Sequence, residues 1–242
     1  MSNNLENAPL FSLFWENSKF NKRTIFKLGK QLSEDSRTIQ NISQFFYSTD
    51  DLKLSKPADK LAKAMALRSS SRAFSDVPLD EKQLGSLFSA FSQKDATARV
   101  LPSAGGKYPI EVFAFLFNIK SKLNKKIVYY NADSHSLSII GECLSWNEYK
   151  DGFGLELDSN PAIFFVFSAL AERTIKKYGE RGGRFILIEA GHYSQNLALR
   201  IVQERLGGVI SGALRDDEVK KHLGLEKTNC LITLGFACGN IN

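Results

Sequence analysis

The sequence KYGERGGRFILIEAGHYSQNLAL, residues 177–199, joins a basic, glycine-rich segment to a long helical pattern. The basic segment spans 172–184, and the apolar spacing that follows it predicts a helix over about 185–206. The pair Gly207-Gly208 is typical of a helix C-terminus, so the helix is expected to end there.

Lys177 and Tyr178 open this stretch and are candidates for a proton-transfer pair. A Lys amine accepts a proton readily only if burial or neighbouring cations disfavour its charged form, and over 173–184 Glu180 is the one acid among five cations. A solvated basic loop is the alternative interpretation. The cations are Arg173, Lys176, Lys177, Arg181 and Arg184.

The rest of the chain alternates helical and strand patterns. Apolar runs at 110–118 and 162–170 predict strands, the second buried on both faces. Further strands are predicted over 126–130 and 230–236, and a short strand or loop over 209–214. A hairpin is predicted with its turn at 131–134, a loop over 145–160, and helices over 59–67, 81–91 and 216–223. Because several strands follow one another without a crossover helix, the pattern favours an α+β fold with a central mixed antiparallel/parallel sheet flanked by helices.

The N-terminal part has weaker periodicity and is rich in Asn, Ser, Lys and Phe. We expect an extension over 1–59 that packs on the core, joins a dimer or docks a partner, and a main domain over 60–242. Two short amphipathic helices are predicted in the extension, one from Leu10, Leu13, Phe14 and Phe20, the other from Ile39, Ile42, Phe45 and Phe46.

Composition limits the function classes. The 242 residues are 43% hydrophobic and 24% charged, and 32 Lys+Arg against 26 Asp+Glu give a net charge of +6. This mild excess suits a small anion and does not require nucleic acid. Three scattered Cys are too few for a disulfide framework. The N-terminus lacks a signal-peptide pattern, and no apolar run reaches the roughly 18 residues of a membrane span. We expect a cytoplasmic protein with no membrane or nucleic-acid partner.

The common catalytic motifs are missing from the sequence. No G-x-G-x-x-G lies between a strand and a helix, and no P-loop, C-x-x-C, H-E-x-x-H or G-x-S-x-G is present. His135, His192 and His222 show no metal-ligand spacing, so no metal site is predicted.

Two further segments are unusually rich in polar or small residues. RSSSR (68–72) carries two guanidinium forks that suit a phosphate, although a solvated helix end is the alternative. PSAGG (102–106) would let a flat ligand approach the backbone, although an ordinary turn is the alternative. Gln195 and Asn196 could bond a heteroaromatic edge or simply face solvent.

Taken together and in order, five segments resemble the nitroreductase-like flavoproteins, and most closely the SagB/ThcOx-type azoline dehydrogenases, which include the microcin-type oxidases. The resemblance covers about residues 60–239. The matching segments are RSSSRAFSDVPLDEKQLGSLFSA (68–90), LPSAGGKYPIEVF (101–113), VYYNADSHSL (128–137), KYGERGGRFILIEAGHYSQNLAL (177–199) and SGALRDDEVKKHLGL (211–225).

The resemblance implies a nitroreductase-like fold, an intertwined homodimer and an FMN cofactor. The residues implied at the phosphate and the ring edge are Arg68, Ser70 and Arg72. Those implied at the isoalloxazine, across the dimer interface, are Pro102, Ser103, Ala104 and Gly106. Those implied in or near the pocket are Gln195 and Asn196, and those whose backbone runs past flavin N5 are Ser211, Gly212 and Ala213. Lys177 and Tyr178 match the pair assigned to catalysis in the azoline dehydrogenases, a pair that general nitroreductases do not share.

The implied activity is FMN-dependent oxidation of thiazoline or oxazoline rings to thiazoles or oxazoles in a ribosomally synthesised precursor peptide. The implied partners are that peptide and the YcaO-type and leader-binding cyclodehydratase subunits of a synthetase complex. The alternatives are a general NAD(P)H-dependent nitroreductase or quinone reductase, and a structural subunit of such a complex. Two features depart from the family pattern: Ser69 replaces a second Arg, and the tail after Phe236 has no Lys or Arg.

Overall fold

The computed structural model describes residues 5–21, 24 and 53–241. Its helices are α1 (Pro9–Ser18), α2 (Lys60–Leu67), α3 (Glu81–Ser89), α4 (Trp146–Phe153), α5 (Glu172–Tyr178), α6 (Arg181–Gln203) and α7 (Asp216–Leu223). Its strands are β1 (Gln93–Asp95), β2 (Ala98–Arg99), β3 (Ile110–Leu116), β4 (Lys126–Asn131), β5 (Ser136–Glu142), β6 (Ile163–Ala169), β7 (Leu206–Ser211) and β8 (Leu231–Asn240). A short 3₁₀ turn covers Ala104–Gly106.

The centre of the protein is a six-stranded sheet in the order β5-β4-β3-β6-β8-β7. Every neighbouring pair in it is antiparallel, so the predicted mixed pairing is wrong. Among the described residues, a parallel bridge occurs outside the strands, between Leu79 and Ile119. The physical reason is that an apolar run such as 162–170 reports burial on both faces of a strand and carries no information on its direction.

Alternate residues of β6 serve two separate apolar layers. Phe165 and Phe167 pack with α3 and α6 on one face of the sheet, whereas Phe164 and Val166 pack with α4 and α7 on the other. The rings of Phe164 and Phe153 are stacked, with 3.9 Å between their centroids. This two-sided burial produces the α+β fold that the sequence predicted. No helix in the described part of the chain is long and apolar enough to cross a membrane.

Several predicted boundaries are corrected by the structure. The stretch 145–160, predicted as a loop, contains α4, which buries Trp146, Tyr149 and Phe153 and ends at Gly154 in the left-handed region. The basic segment 172–184 is helical over most of its length, because it contains α5 and the start of α6.

The predicted end of the long helix is also displaced. Helix α6 ends at Gln203, and Gly207-Gly208 lies inside β7 instead of terminating the helix. A Cβ atom on Gly207 would lie 2.9 Å from the Ser71 side chain, so this glycine permits a close approach of the chain before α3.

Helix α1 is an integral part of the core. Its Phe11 and Trp15 belong to the same apolar cluster as α6, while Leu10, Leu13 and Phe14, the predicted apolar face, are exposed. The helix N-terminus rests on one carboxylate, since Leu10 N and Phe11 N each donate to Glu180 at 2.8 Å. The second helix predicted in the extension, around Ile39–Phe46, lies outside the described residues.

Candidate functional site

Lys177 and Tyr178 lie at the last turn of α5, where the chain reverses into α6. Gly179 makes the reversal with φ 53°. The Tyr178 ring is half-buried and meets Phe185 edge-on at 5.0 Å between centroids, and Lys177 Nζ lies 5.2 Å from the Tyr178 ring centroid. Lys177 is exposed.

The Pro102–Gly106 loop meets this pair directly. Gly105 has φ 59°, and a Cβ atom placed on it would lie 2.5 Å from Tyr178 Oη and 2.7 Å from Lys177 Nζ. The structure therefore brings together two segments that lie some 70 residues apart in sequence. Gly105 itself was not predicted as a site residue; its signal was its place between Ala104 and Gly106.

A buried carboxyl lies behind the loop. Ser103 Oγ donates to Glu189 Oε2 at 2.6 Å, and the same hydroxyl accepts from Tyr108 N at 2.8 Å. Burial raises the pKa of Glu189 to about 7, although the Ser103 hydrogen bond and the Arg99 charge act in the opposite direction. Sequence reasoning missed this role for Glu189; the available signal was a charged residue inside the apolar run FILIEAG.

The cationic cluster predicted around Lys177 is partly neutralised. Arg173 Nη1 donates to Glu111 Oε1 at 2.5 Å and to Tyr108 O at 2.9 Å, and Glu111 in turn accepts from Tyr129 Oη at 2.7 Å. Glu180, predicted as the neutralising acid of the cluster, instead binds the N-terminus of α1. Arg173 therefore braces the loop beside the site and is paired with an acid that the sequence did not associate with it.

The Arg68–Arg72 segment lies at the start of β7. Ser71 N donates to Gly208 O at 3.0 Å, and Asp158 N donates to Arg72 O at 3.0 Å. The side chains of Arg68, Ser70 and Arg72 are exposed and, within the described ranges, have no hydrogen-bonded or ion-paired partner. Two unpaired guanidinium groups on a backbone held in place fit the charge and geometry of a phosphate.

The other predicted cofactor residues lie in different surroundings. Ser211 is buried at the end of β7, where it pairs with Gly235 of β8. Its hydroxyl donates to Phe153 O at 2.8 Å and accepts from Ala213 N at 3.4 Å. Gly212 borders a cavity of about 210 Å³ that Trp15 and Asp216 also line. Gln195 is exposed on α6, while the half-buried Asn196 donates to Ala90 O at 3.4 Å. The two α6 amides are therefore not joined to the loop by any hydrogen bond seen in the described chain.

The Arg68–Arg72 segment and the Pro102–Gly106 loop are not bonded to each other within one chain. Over residues 5–21, 24 and 53–241, no hydrogen bond or ion pair joins 68–72 to 102–106, whereas the loop contacts Lys177, Tyr178 and Glu189. In the same ranges, no group of three His, Cys, Asp or Glu side chains could hold a metal ion.

The fold and these segments match a known family. The nitroreductase family model matches residues 65–239, so the chain belongs to the nitroreductase family. This confirms the predicted nitroreductase-like α+β fold and the resemblance to the nitroreductase-like flavoproteins.

Two relatives are similar to this chain in sequence. The Microcin B17-processing protein McbC of Escherichia coli is 27% identical over 163 residues, which cover 64% of this chain and 60% of McbC. The nitroreductase homologue MJ1384 of Methanocaldococcus jannaschii is 28% identical over 180 residues, which cover 72% of this chain and 88% of MJ1384.

Solved structures share the fold. A chain of the E. coli microcin synthetase McbBCD complex with truncated pro-MccB17 bound has a TM-score of 0.67 at 20% identity, covering 92% of this chain and 95% of that chain. The NADPH:FMN oxidoreductase of Vibrio harveyi complexed with NAD⁺ has a TM-score of 0.52 at 18% identity, covering 76% and 70%. FMN-containing oxidoreductases are thus among the proteins of this fold.

Proposed function

We propose that this protein is an FMN-dependent azoline dehydrogenase, which oxidises thiazoline or oxazoline rings to thiazoles or oxazoles in a ribosomally synthesised precursor peptide. The observation that carries the proposal is the convergence of Lys177 Nζ and Tyr178 Oη on Gly105 of the Pro102–Gly106 loop. The similarity to McbC, a microcin-processing protein, supports the peptide substrate.

The residues present fit FMN. The exposed, unpaired guanidinium groups of Arg68 and Arg72, with the hydroxyl of Ser70 between them, would hold the phosphate. The small residues Pro102, Ser103, Ala104 and Gly106 would let the flat ring system approach the backbone. The Ser211–Ala213 backbone, at the end of β7, would pass the edge of the ring system, with Gln195 and Asn196 nearby. FMN, when bound, supplies the acceptor for a hydride.

The proton that leaves the substrate ring would be accepted by protein side chains. Aromatising an azoline removes one hydride and one proton from adjacent ring carbons, and the C–H electron pair left by the proton completes the new ring double bond. In its neutral form, the Lys177 amine would accept that proton, and the Tyr178 hydroxyl beside it would orient the amine and the substrate. A positioned acid–base group of this kind contributes typically ~10²–10⁴-fold in rate.

A second copy of the chain would complete the site. Within one chain, no described hydrogen bond or ion pair joins the Arg68–Arg72 segment to the Pro102–Gly106 loop. A homodimer would place the loop of one protomer beside Arg68 and Arg72 of its partner. We further propose that the precursor peptide arrives from cyclodehydratase subunits, YcaO-type and leader-binding, in the cytoplasm. The structural likeness to a chain of the McbBCD complex, which contains truncated pro-MccB17, supports this assembly.

One observation favours a different oxidoreductase. The match to MJ1384 covers 88% of that protein, more than the 60% of McbC. A general NAD(P)H-dependent nitroreductase or quinone reductase is therefore the second candidate. The Lys177–Tyr178 pair distinguishes the two, because nitroaromatic reduction does not require a side chain that removes a proton from a ring carbon.

The test is mass spectrometry of an azoline-containing precursor peptide incubated with the purified protein. We expect the loss of two hydrogen atoms per ring, abolished in Lys177→Ala and strongly reduced in Tyr178→Phe while both variants keep bound FMN. Lys176→Ala is the matched control, since this neighbouring exposed Lys belongs to the same helix end and should retain oxidation. Full oxidation by Lys177→Ala would contradict the assignment, and nitroaromatic reduction without peptide oxidation would favour the second candidate.

A further inference from the structure

Glu189 is an unusual residue for the interior of a helix packed on a sheet. It is 3% exposed, and its Oε1 atom has no hydrogen-bond partner among the described residues. Burying a carboxyl with one oxygen unpaired costs stability. Its one hydrogen bond, from Ser103 Oγ, leads directly to the Pro102–Gly106 loop.

This bond holds the loop from one side. Over the described chain, Ser103–Glu189 is the only hydrogen bond that joins 102–106 to another helix or strand; the remaining bonds of the segment stay within 103–108. Because a Ser hydroxyl has a single hydrogen, its donation to Glu189 leaves the oxygen lone pairs free to accept from Tyr108 N. One hydroxyl therefore both closes the loop and attaches it to α6.

The other end of the loop is held independently. Tyr108 has φ 44°, in the left-handed region that a non-glycine residue rarely occupies. Its hydroxyl accepts from Arg99 N at 3.0 Å, its carbonyl accepts from Arg173 at 2.9 Å, and the Arg99 guanidinium lies 5.1 Å from its ring centroid. These contacts brace Tyr108 and do not involve Gly105.

We propose that Glu189 is a positioning residue, which acts through Ser103 to hold Gly105 against the Lys177 and Tyr178 side chains. This inference deepens the proposed function, since it concerns the loop that would meet the flavin and the pair that would take the proton. Arg99 lies near Glu189 and bonds Tyr193 at 3.0 Å; Glu111 and Asp133 act electrostatically on Arg99.

The test is hydrogen–deuterium exchange of the full chain, measured by mass spectrometry on the peptide that contains Gly106 and Lys107. These amides bond within the loop, to Ser103 O and Ala104 O. Losing the Ser103–Glu189 bond should speed their exchange by about tenfold or more in Glu189→Ala and Ser103→Ala. Glu189→Gln, which keeps an acceptor oxygen, should restore the slow exchange. The measurement needs neither flavin nor peptide, so its outcome is independent of the proposed activity.

Asp216→Asn is the matched control. Asp216 is another buried carboxyl, on α7, and among the described residues no hydrogen bond or ion pair joins it to 102–108, so its replacement should leave exchange at Gly106 and Lys107 unchanged. A folded Glu189→Ala or Ser103→Ala variant that exchanges at the wild-type rate would overturn the proposal. So would Glu189→Gln exchanging as fast as Glu189→Ala, because the hydrogen bond would then not be what holds the loop. Where the flavin enzyme is active, Glu189→Ala should lower kcat with FMN still bound, and Glu189→Gln should recover it.

Discussion

Replacing Glu189 with Gln should change how the stability of the protein depends on pH. Burial raises the pKa of Glu189 from 4.5 to about 7, so the folded state keeps a proton that the unfolded state releases. The contribution of this proton to the free energy of unfolding is therefore fully present below pH 4.5 and is lost as the pH rises toward 7.

The size of the effect follows from the shift. At 1.36 kcal/mol per pKa unit, the wild type loses about 3 kcal/mol of unfolding free energy across this interval. Gln cannot ionise, and its amide oxygen still accepts from Ser103, so Glu189→Gln should lack this loss. Its amide nitrogen would lie where Oε1 has no hydrogen-bond partner. This lowers the free energy of unfolding equally at every pH and does not change how it depends on pH.

The assay is urea unfolding of both proteins at several values from about pH 5 to about pH 8, with linear extrapolation to water. Between these two pH values, the difference in unfolding free energy between variant and wild type should rise by about 2.5 kcal/mol in favour of the variant. Taking the difference removes the contribution of other groups, including Asp216, whose pKa burial raises to about 6. Parallel stability curves for the two proteins would refute the assignment of this pH dependence to Glu189.

Three further predictions test contacts around the site and at helix α1. Gly105→Ala should lower peptide oxidation by on the order of a hundredfold, since its Cβ would displace Tyr178 Oη, and an unchanged kcat would count against the contact. Gly183→Ala should loosen α1, because its Cβ would overlap the Phe11 ring, and faster proteolysis within residues 5–21 would report this, whereas Gly191→Ala, in open space on the same helix, should behave as wild type. Arg68→Gln and Arg72→Gln should each weaken FMN binding by about tenfold, measured by flavin fluorescence titration, and unchanged affinity in both would exclude them from the phosphate site.

Much of the fold was predictable because its signals are local. The apolar spacing after Arg184 predicts α6, and the runs at 110–118 and 162–170 predict β3 and β6. These predictions succeed because the pattern of residues a few positions apart shows whether one or both faces of an element are buried. Helix α4 was missed because its apolar side chains, Trp146, Tyr149 and Phe153, are spread through a stretch with Asn, Asp and Gly.

The sequence alone determined the family, the order of the motifs and the candidate pair Lys177–Tyr178. Only the tertiary structure decided that the sheet is antiparallel, that Arg173 is paired with Glu111, and that Glu189 lies under the loop of Gly105. The physical reason is separation along the chain. Strand direction, ion pairing and burial of a carboxyl depend on residues that meet only after folding, whereas helix and strand periodicity depends on neighbours a few positions apart.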